Sequence, residues 1–109
     1  MSVVRVTVVQ RRNSCLAIGL DVDFVVQEKS IGGVIAKFQQ DLYASINLGR
    51  QEDPEYHFWR ATHKAPPTSW RHYNLAMKYQ NFELSRVRAP VGMPFKELAF
   101  YVIKKESPL

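Results

Sequence analysis

The chain predicts an α+β domain: an antiparallel sheet sealed on one side by one amphipathic helix, with a second short helix and C-terminal strands. Three observations carry this prediction. β-Branched residues alternate with polar ones near the start. Apolar residues recur at helical spacing after Ser30. The last third returns to apolar strand runs on either side of a turn. At 109 residues the chain fits a single domain, 1–109, with one modest core.

In "VVRVTVVQ", Val4, Val6 and Val8 share one face, and Arg5 and Thr7 the other, the period-two pattern of a half-buried strand. The polar stretch Arg11–Ser14 supplies a turn through Asn13 and Ser14. A second strand runs through Leu16, Ile18 and Leu20, and Phe24 to Gln27 reads as a third, completing an antiparallel meander. Asp21 and Asp23 fall between these last two strands and read as a solvated turn.

Ser30 stands where a helix N-cap belongs. Ile31, Ile35, Phe38, Leu42 and Ile46 then form one stripe, with Lys37, Gln40 and Asp41 off it. Gly32 and Gly33 suggest close approach of this helix to the sheet, and Gly49 suits its C′ position. Residues 56–64, "YHFWRATHK", predict a short strand or an irregular packed segment. After Pro66 and Pro67, a second helix capped by Thr68 or Ser69 places Trp70, Tyr73 and Met77 on one face. "NFELSRVRAP" and "ELAFYVIKK" then pair around Val91–Pro94.

Composition narrows the function. Hydrophobic residues make up 46% and charged residues 23%, which excludes a disordered chain. No apolar run approaches the roughly 20 residues that span a bilayer, and the N-terminus reads as a strand and not as a signal peptide. The one cysteine, Cys15, excludes a disulfide framework and a thiolate metal site. A cytoplasmic protein that stays off membranes is expected. The net charge of +5 suits nucleic acid or an acidic partner, yet the bases are scattered, with pairs at Arg11–Arg12 and Lys104–Lys105 and no dense run.

Catalytic chemistry finds little support. Asp21 and Asp23 are two carboxylates where a two-metal nuclease needs about four. His57, His63 and His72 are spaced by six and nine residues, matching neither a helical i,i+4 pair nor a zinc pattern. Cys15 reads as a small buried residue. No catalytic residue, cofactor or metal is expected. The aromatics Trp59, Trp70 and Tyr73 read as core or as anchors for a protein partner. Their neighbours Arg60, Lys64, Arg71 and Lys78 support an alternative, phosphate contacts of a small nucleic-acid-binding protein.

From Ala17 onward the chain resembles the HicB-like antitoxin family. Ala17, Leu20, Asp21, Asp23, Phe24, Gln27 and Ser30 fall on the family's pattern without a gap, followed by Ile31, Ile35 and Phe38 on its helix. Pro66, Pro67, Trp70 and Tyr73 match the proline-led, Trp-containing helix of longer members. The resemblance implies a β-β-β-α-β core, a reduced ribonuclease-H-like fold. It also implies a non-enzymatic role: binding and silencing a small HicA-like mRNA interferase, commonly as a homo-oligomer. Such antitoxins tend to be acidic and this chain is basic, a departure that fits an orphan or divergent member, so the partner is expected to be a HicA-like toxin or another small protein. The helix-turn-helix or ribbon-helix-helix unit of autorepressing members is not expected after Ile103.

Overall fold

The computed structural model describes residues 2 to 104; Lys105, half of the C-terminal basic pair, and the stretch after it lie outside the described residues. The elements follow in the order β1 (Val3–Gln10), β2 (Cys15–Gly19), β3 (Val25–Glu28), α1 (Ile31–Glu52), α2 (Phe58–Ala61), α3 (Pro67–Tyr79), β4 (Phe82–Arg88) and β5 (Glu97–Ile103). They build one five-stranded sheet in the order β3-β2-β1-β5-β4.

The α+β class holds, but the sheet is mixed and not antiparallel throughout. β1 pairs with β2 antiparallel, in register Val8↔Ala17, and with β5 parallel, in register Val6↔Phe100. The physical reason lies in the C-terminal hairpin. β4 and β5 pair antiparallel around a turn in which Gly92 takes a positive φ of 97°. The hairpin docks through β5 beside β1, so β5 becomes an interior strand. Leu98, Ala99 and Phe100 are accordingly buried in succession, on both faces.

Alternation along β1 sorts the two faces. Val4, Val6 and Val8 point with Ala17, Leu98 and Phe100 toward α1. From α1, Val34, Phe38, Leu42 and Ile46 close that side, each contributing roughly 1.5–3 kcal/mol of burial. Ile31 and Ile35, expected on the stripe, are half-buried at its border, and Val34 takes the central place. Phe38 meets Phe24 and Phe100 edge to face, at centroid distances of 5.3 and 5.8 Å. The Ser30 hydroxyl accepts from the Gly33 N–H at 3.0 Å, the expected cap. Gly32 faces open space and makes no approach to the sheet.

Five assignments depart from the sequence reading. α1 runs through Gly49 to Glu52, with Asp53 as C-cap. The chain turns at Asp53–Tyr56 and lays the Tyr56 ring where a Cβ on Gly49 would stand, so this glycine serves packing and not termination. The stretch 56–64 contains a four-residue helix, α2, that buries Phe58. α3 starts at Pro67 and not after Thr68 or Ser69, because proline at the first helical position has its φ preset and no N–H to satisfy. β2 ends at Gly19, and β3 begins one residue late, at Val25.

Gly19 stands where the chain between β2 and β3 folds back, and an added Cβ would strike the backbone carbonyl oxygen of Val22. Gly19→Ala is therefore expected to cost about 2 kcal/mol, read as a lowered denaturation midpoint at unchanged slope. A second expectation concerns Tyr43 on α1, whose ring stacks on Phe95 and whose buried hydroxyl has no partner among the described residues. Burial raises its pKa, so the stability that depends on the neutral phenol is complete below its ordinary value of about 10 and is lost as pH rises through the raised one. Tyr43→Phe should gain up to about 1 kcal/mol at neutral pH and lose less stability than the parent on alkaline titration.

Candidate functional site

The second face of the sheet carries the chain's most elaborate polar arrangement. Because Arg5 alternates with Val4 and Val6 on β1, it points away from α1. Asp21, just past β2, meets it. The Arg5 backbone N–H and Nε donate to Asp21 Oδ2 at 2.9 and 3.0 Å, and Nη2 donates to Oδ1 at 2.8 Å. Asp21 is 4% exposed, so the expected solvated turn is overturned for this residue. Its carboxylate ties the loop to the central strand through three charge-assisted bonds. Asp23 is exposed, and its backbone N–H donates to the carbonyl of His63. The pair does not act as a unit: one aspartate is committed to an arginine and the other faces solvent.

α3 closes over this pair. The Arg5 guanidinium carbon lies 4.8 Å from the centroid of the Trp70 ring and 5.5 Å from that of Tyr73. The Trp70 indole N–H donates to the Ala65 carbonyl at 3.1 Å, which locks the ring to the chain entering the helix. Tyr73 meets Tyr101 of β5 edge to face at 5.1 Å, and Phe82 of β4 also packs on Tyr101, at a centroid distance of 5.3 Å. The hydrogen bonds that Arg5 donates to the Asp21 carboxylate hold its pKa above the ordinary value, against partial desolvation. Desolvation, with Tyr73 nearby, raises the Tyr101 phenol.

The structure separates the aromatic anchors expected from the sequence. Trp70 and Tyr73 stand together, half-buried, on the second face. Trp59 lies on the α1 side, edge to face with Phe58 and donating to the Pro94 carbonyl at 3.1 Å. The basic quartet divides likewise. Arg60 rides on α2, whose Phe58 joins the α1-side core, and Lys64 lies in the extended link to α3. Arg71 and Lys78 share one surface of α3, two turns apart. All four are exposed. Cys15 is buried and unpaired at the start of β2. His57 and His63 are exposed, and His72 is half-buried. Among the described residues, no group of three or more His, Cys, Asp or Glu side chains is placed to hold a metal ion.

In the sequence, Arg5 reads only as the polar side of a strand. The signal that could have found its role is a lone arginine inside a valine run, with an acid just past the following strand. Compared with known proteins, the chain matches no family model, no curated protein and no solved structure.

Breaking the pair from the buried side tests its weight. Asp21→Asn should cost about 3 kcal/mol, because Arg5 then lacks its charged acceptor beneath α3. For a domain of this size that corresponds to a melting temperature lower by roughly 10–15 °C. A change within about 1 kcal/mol would show that the pair is dispensable.

Proposed function

We propose that the chain is a non-enzymatic, HicB-like protein-binding module that docks a small partner protein, HicA-like or of another kind, on the α3 layer. The observation that carries this reading is the double character of α3. Its inner side, through Trp70, Tyr73 and the buried Ala76, is fastened to the sheet. Its outer side presents Leu75, 43% exposed, and Tyr79, 63% exposed, among Arg71 and Lys78. A rigid helix offering aliphatic and aromatic anchors inside a charged rim is the usual make-up of a protein-binding patch. The acids offer no competing chemistry: Asp21 is held by Arg5, and Asp23 stands apart from it.

Homo-oligomer formation belongs to the same proposal, supported by the two outer strands β3 and β4, each with one side outside the sheet's own pairing. Among the described residues no helix is long and apolar enough to cross a membrane. A cytoplasmic setting is proposed with it, in keeping with the single unpaired thiol of Cys15.

Trp70 is a poor probe, because its removal also strips the cover from Arg5. Leu75 and Tyr79 are better. In coexpression with a HicA-like interferase encoded beside the chain's own gene, the parent chain should copurify with the toxin and restore growth. The double variant Leu75→Ser, Tyr79→Ala should melt as the parent does and bind about thirtyfold more weakly, a loss of about 2 kcal/mol. Failure of the parent to copurify or to restore growth removes the interferase as partner. Undiminished binding by the double variant removes α3 as the docking surface.

A further inference from the structure

A second site lies on the same face of the sheet, in the part that α3 leaves open. Ala99 of β5 is in register with Arg5 of β1 on one side and with Arg86 of β4 on the other. Residues in register on adjacent strands point to the same face, so two arginines flank one methyl group. Their Cα atoms are two strand spacings apart, about 9–10 Å. Glu97 and Tyr101, two positions before and after Ala99, close the ends. The result is a bowl of about 340 Å³ lined by Val3, Arg5, Arg86, Glu97, Ala99 and Tyr101. The small side chain of Ala99 lies buried at its floor, between the two arginines.

The donors in this bowl are only partly used. Asp21 occupies Nε and Nη2 of Arg5, two of the side chain's donor groups. Arg86 is 64% exposed and gives one bond to Glu97 at 3.2 Å, a solvated pair that an incoming anion can displace at little cost. Arg88 continues the row on β4, in register with Glu97.

The charge of the chain is divided in the same sense. Residues 31 to 56, which are α1 and its exit, carry Lys37 and Arg50 against Asp41, Glu52, Asp53 and Glu55, a net −2. Residues 57 to 104 carry eight lysines and arginines against Glu83 and Glu97, a net +6. Of those eight bases, Arg86 alone is in an ion pair among the described residues. The net-acidic helix α1 therefore lies on one face of the sheet, while Arg71 and Lys78 on α3 and Arg88 on β4 carry no ion pair among the described residues.

We propose that this bowl binds a phosphodiester of single-stranded nucleic acid, with the solvated Arg86 gripping the phosphate, the donors of Arg5 that Asp21 leaves free assisting from the opposite wall, and Tyr101 beside the attached nucleoside. Planar guanidinium forks suit a phosphate, and a spread of unpaired cations suits a polyanion better than one carboxylate. A concave site of this size beside an aromatic ring suits one unit of a flexible single strand, whose phosphate can reach the arginines while its base stays free to stack.

The test is fluorescence anisotropy with a labelled oligouridylate over a salt series, on the full chain. The parent should bind at low salt, with affinity falling as salt rises. Arg86→Gln leaves the fold intact, since the side chain is solvated. It should weaken binding about tenfold, as expected for losing charge-assisted hydrogen bonds, and reduce the log–log salt slope by about 0.7. Ala99→Leu, which fills the bowl without changing charge, should also weaken binding, while Lys37→Gln on α1 should match the parent. Absence of binding at low salt overturns the proposal, as does equal binding by Arg86→Gln and Lys37→Gln. Competition by a polyglutamate peptide as effective as that by unlabelled oligouridylate also overturns it, in favour of an acidic protein segment.

Discussion

The bond between Arg5 and Asp21 is the constraint on which the second face of the sheet depends. A guanidinium midway along the central strand would leave this face too polar to take a helix. Asp21 neutralises it and saturates part of its donor set from a buried position. What remains is a flat cation that aromatic rings can cover, and Trp70 and Tyr73 do so. The pair thus lets α3 lie on the sheet. A buried ion pair of this kind is weak evidence of net stability, since desolvation offsets much of its attraction. Its value here is positional: it fixes where the loop after β2 and the start of α3 sit relative to β1.

β1 is accordingly the spine of the molecule. Its valines belong to the α1 core, and its arginine belongs to the α3 layer. The strands on either side extend the same division. Ala17, Leu98 and Phe100 join the valines, while Ala99 and Tyr101 join the arginine. Thr62–Ala65 carries the chain from the first layer to the second, running beside the Leu20–Asp23 loop through backbone bonds at Asp23 and Ala65. The two layers then differ in character. The α1 side is an apolar core under an acidic helix; the α3 side is aromatic, half-solvated and basic.

That difference bears on what each face can do. Aromatic side chains around a fixed cation make a rigid base for a helix whose outer residues, Leu75 and Tyr79, are exposed. The open strip of β5 and β4 adds arginines that have few protein partners of their own. Among the described residues no three acids, histidines or cysteines are grouped to hold a metal ion, and the histidines are dispersed, His57 just before α2, His63 in the link after it and His72 in α3.

Much of the layout was legible in the sequence. The alternation in "VVRVTVVQ", the cap at Ser30, the stripe through Phe38, Leu42 and Ile46, and the turn at Gly92 are local signals, each set by residues within one element. The direction and neighbour of β5 were not legible, because period-two patterning reports which side chains share a face and is silent about which strand lies alongside. The role of Gly49 was misleading for a related reason: a glycine near a helix end looks like a stop until the Tyr56 ring is seen to occupy its missing Cβ. The residues of the candidate sites divide in the same way. Trp70 and Tyr73 stood out by residue type, whereas Arg5, Asp21, Arg86 and Ala99 acquire their meaning only from contacts across 11 to 16 positions or more, down to the register of three adjacent strands. Sequence by itself determined the elements and their apolar faces, since these follow from short-range periodicity and backbone chemistry. Tertiary structure alone decided the strand order and which charges meet, since both depend on how distant segments pack against β1.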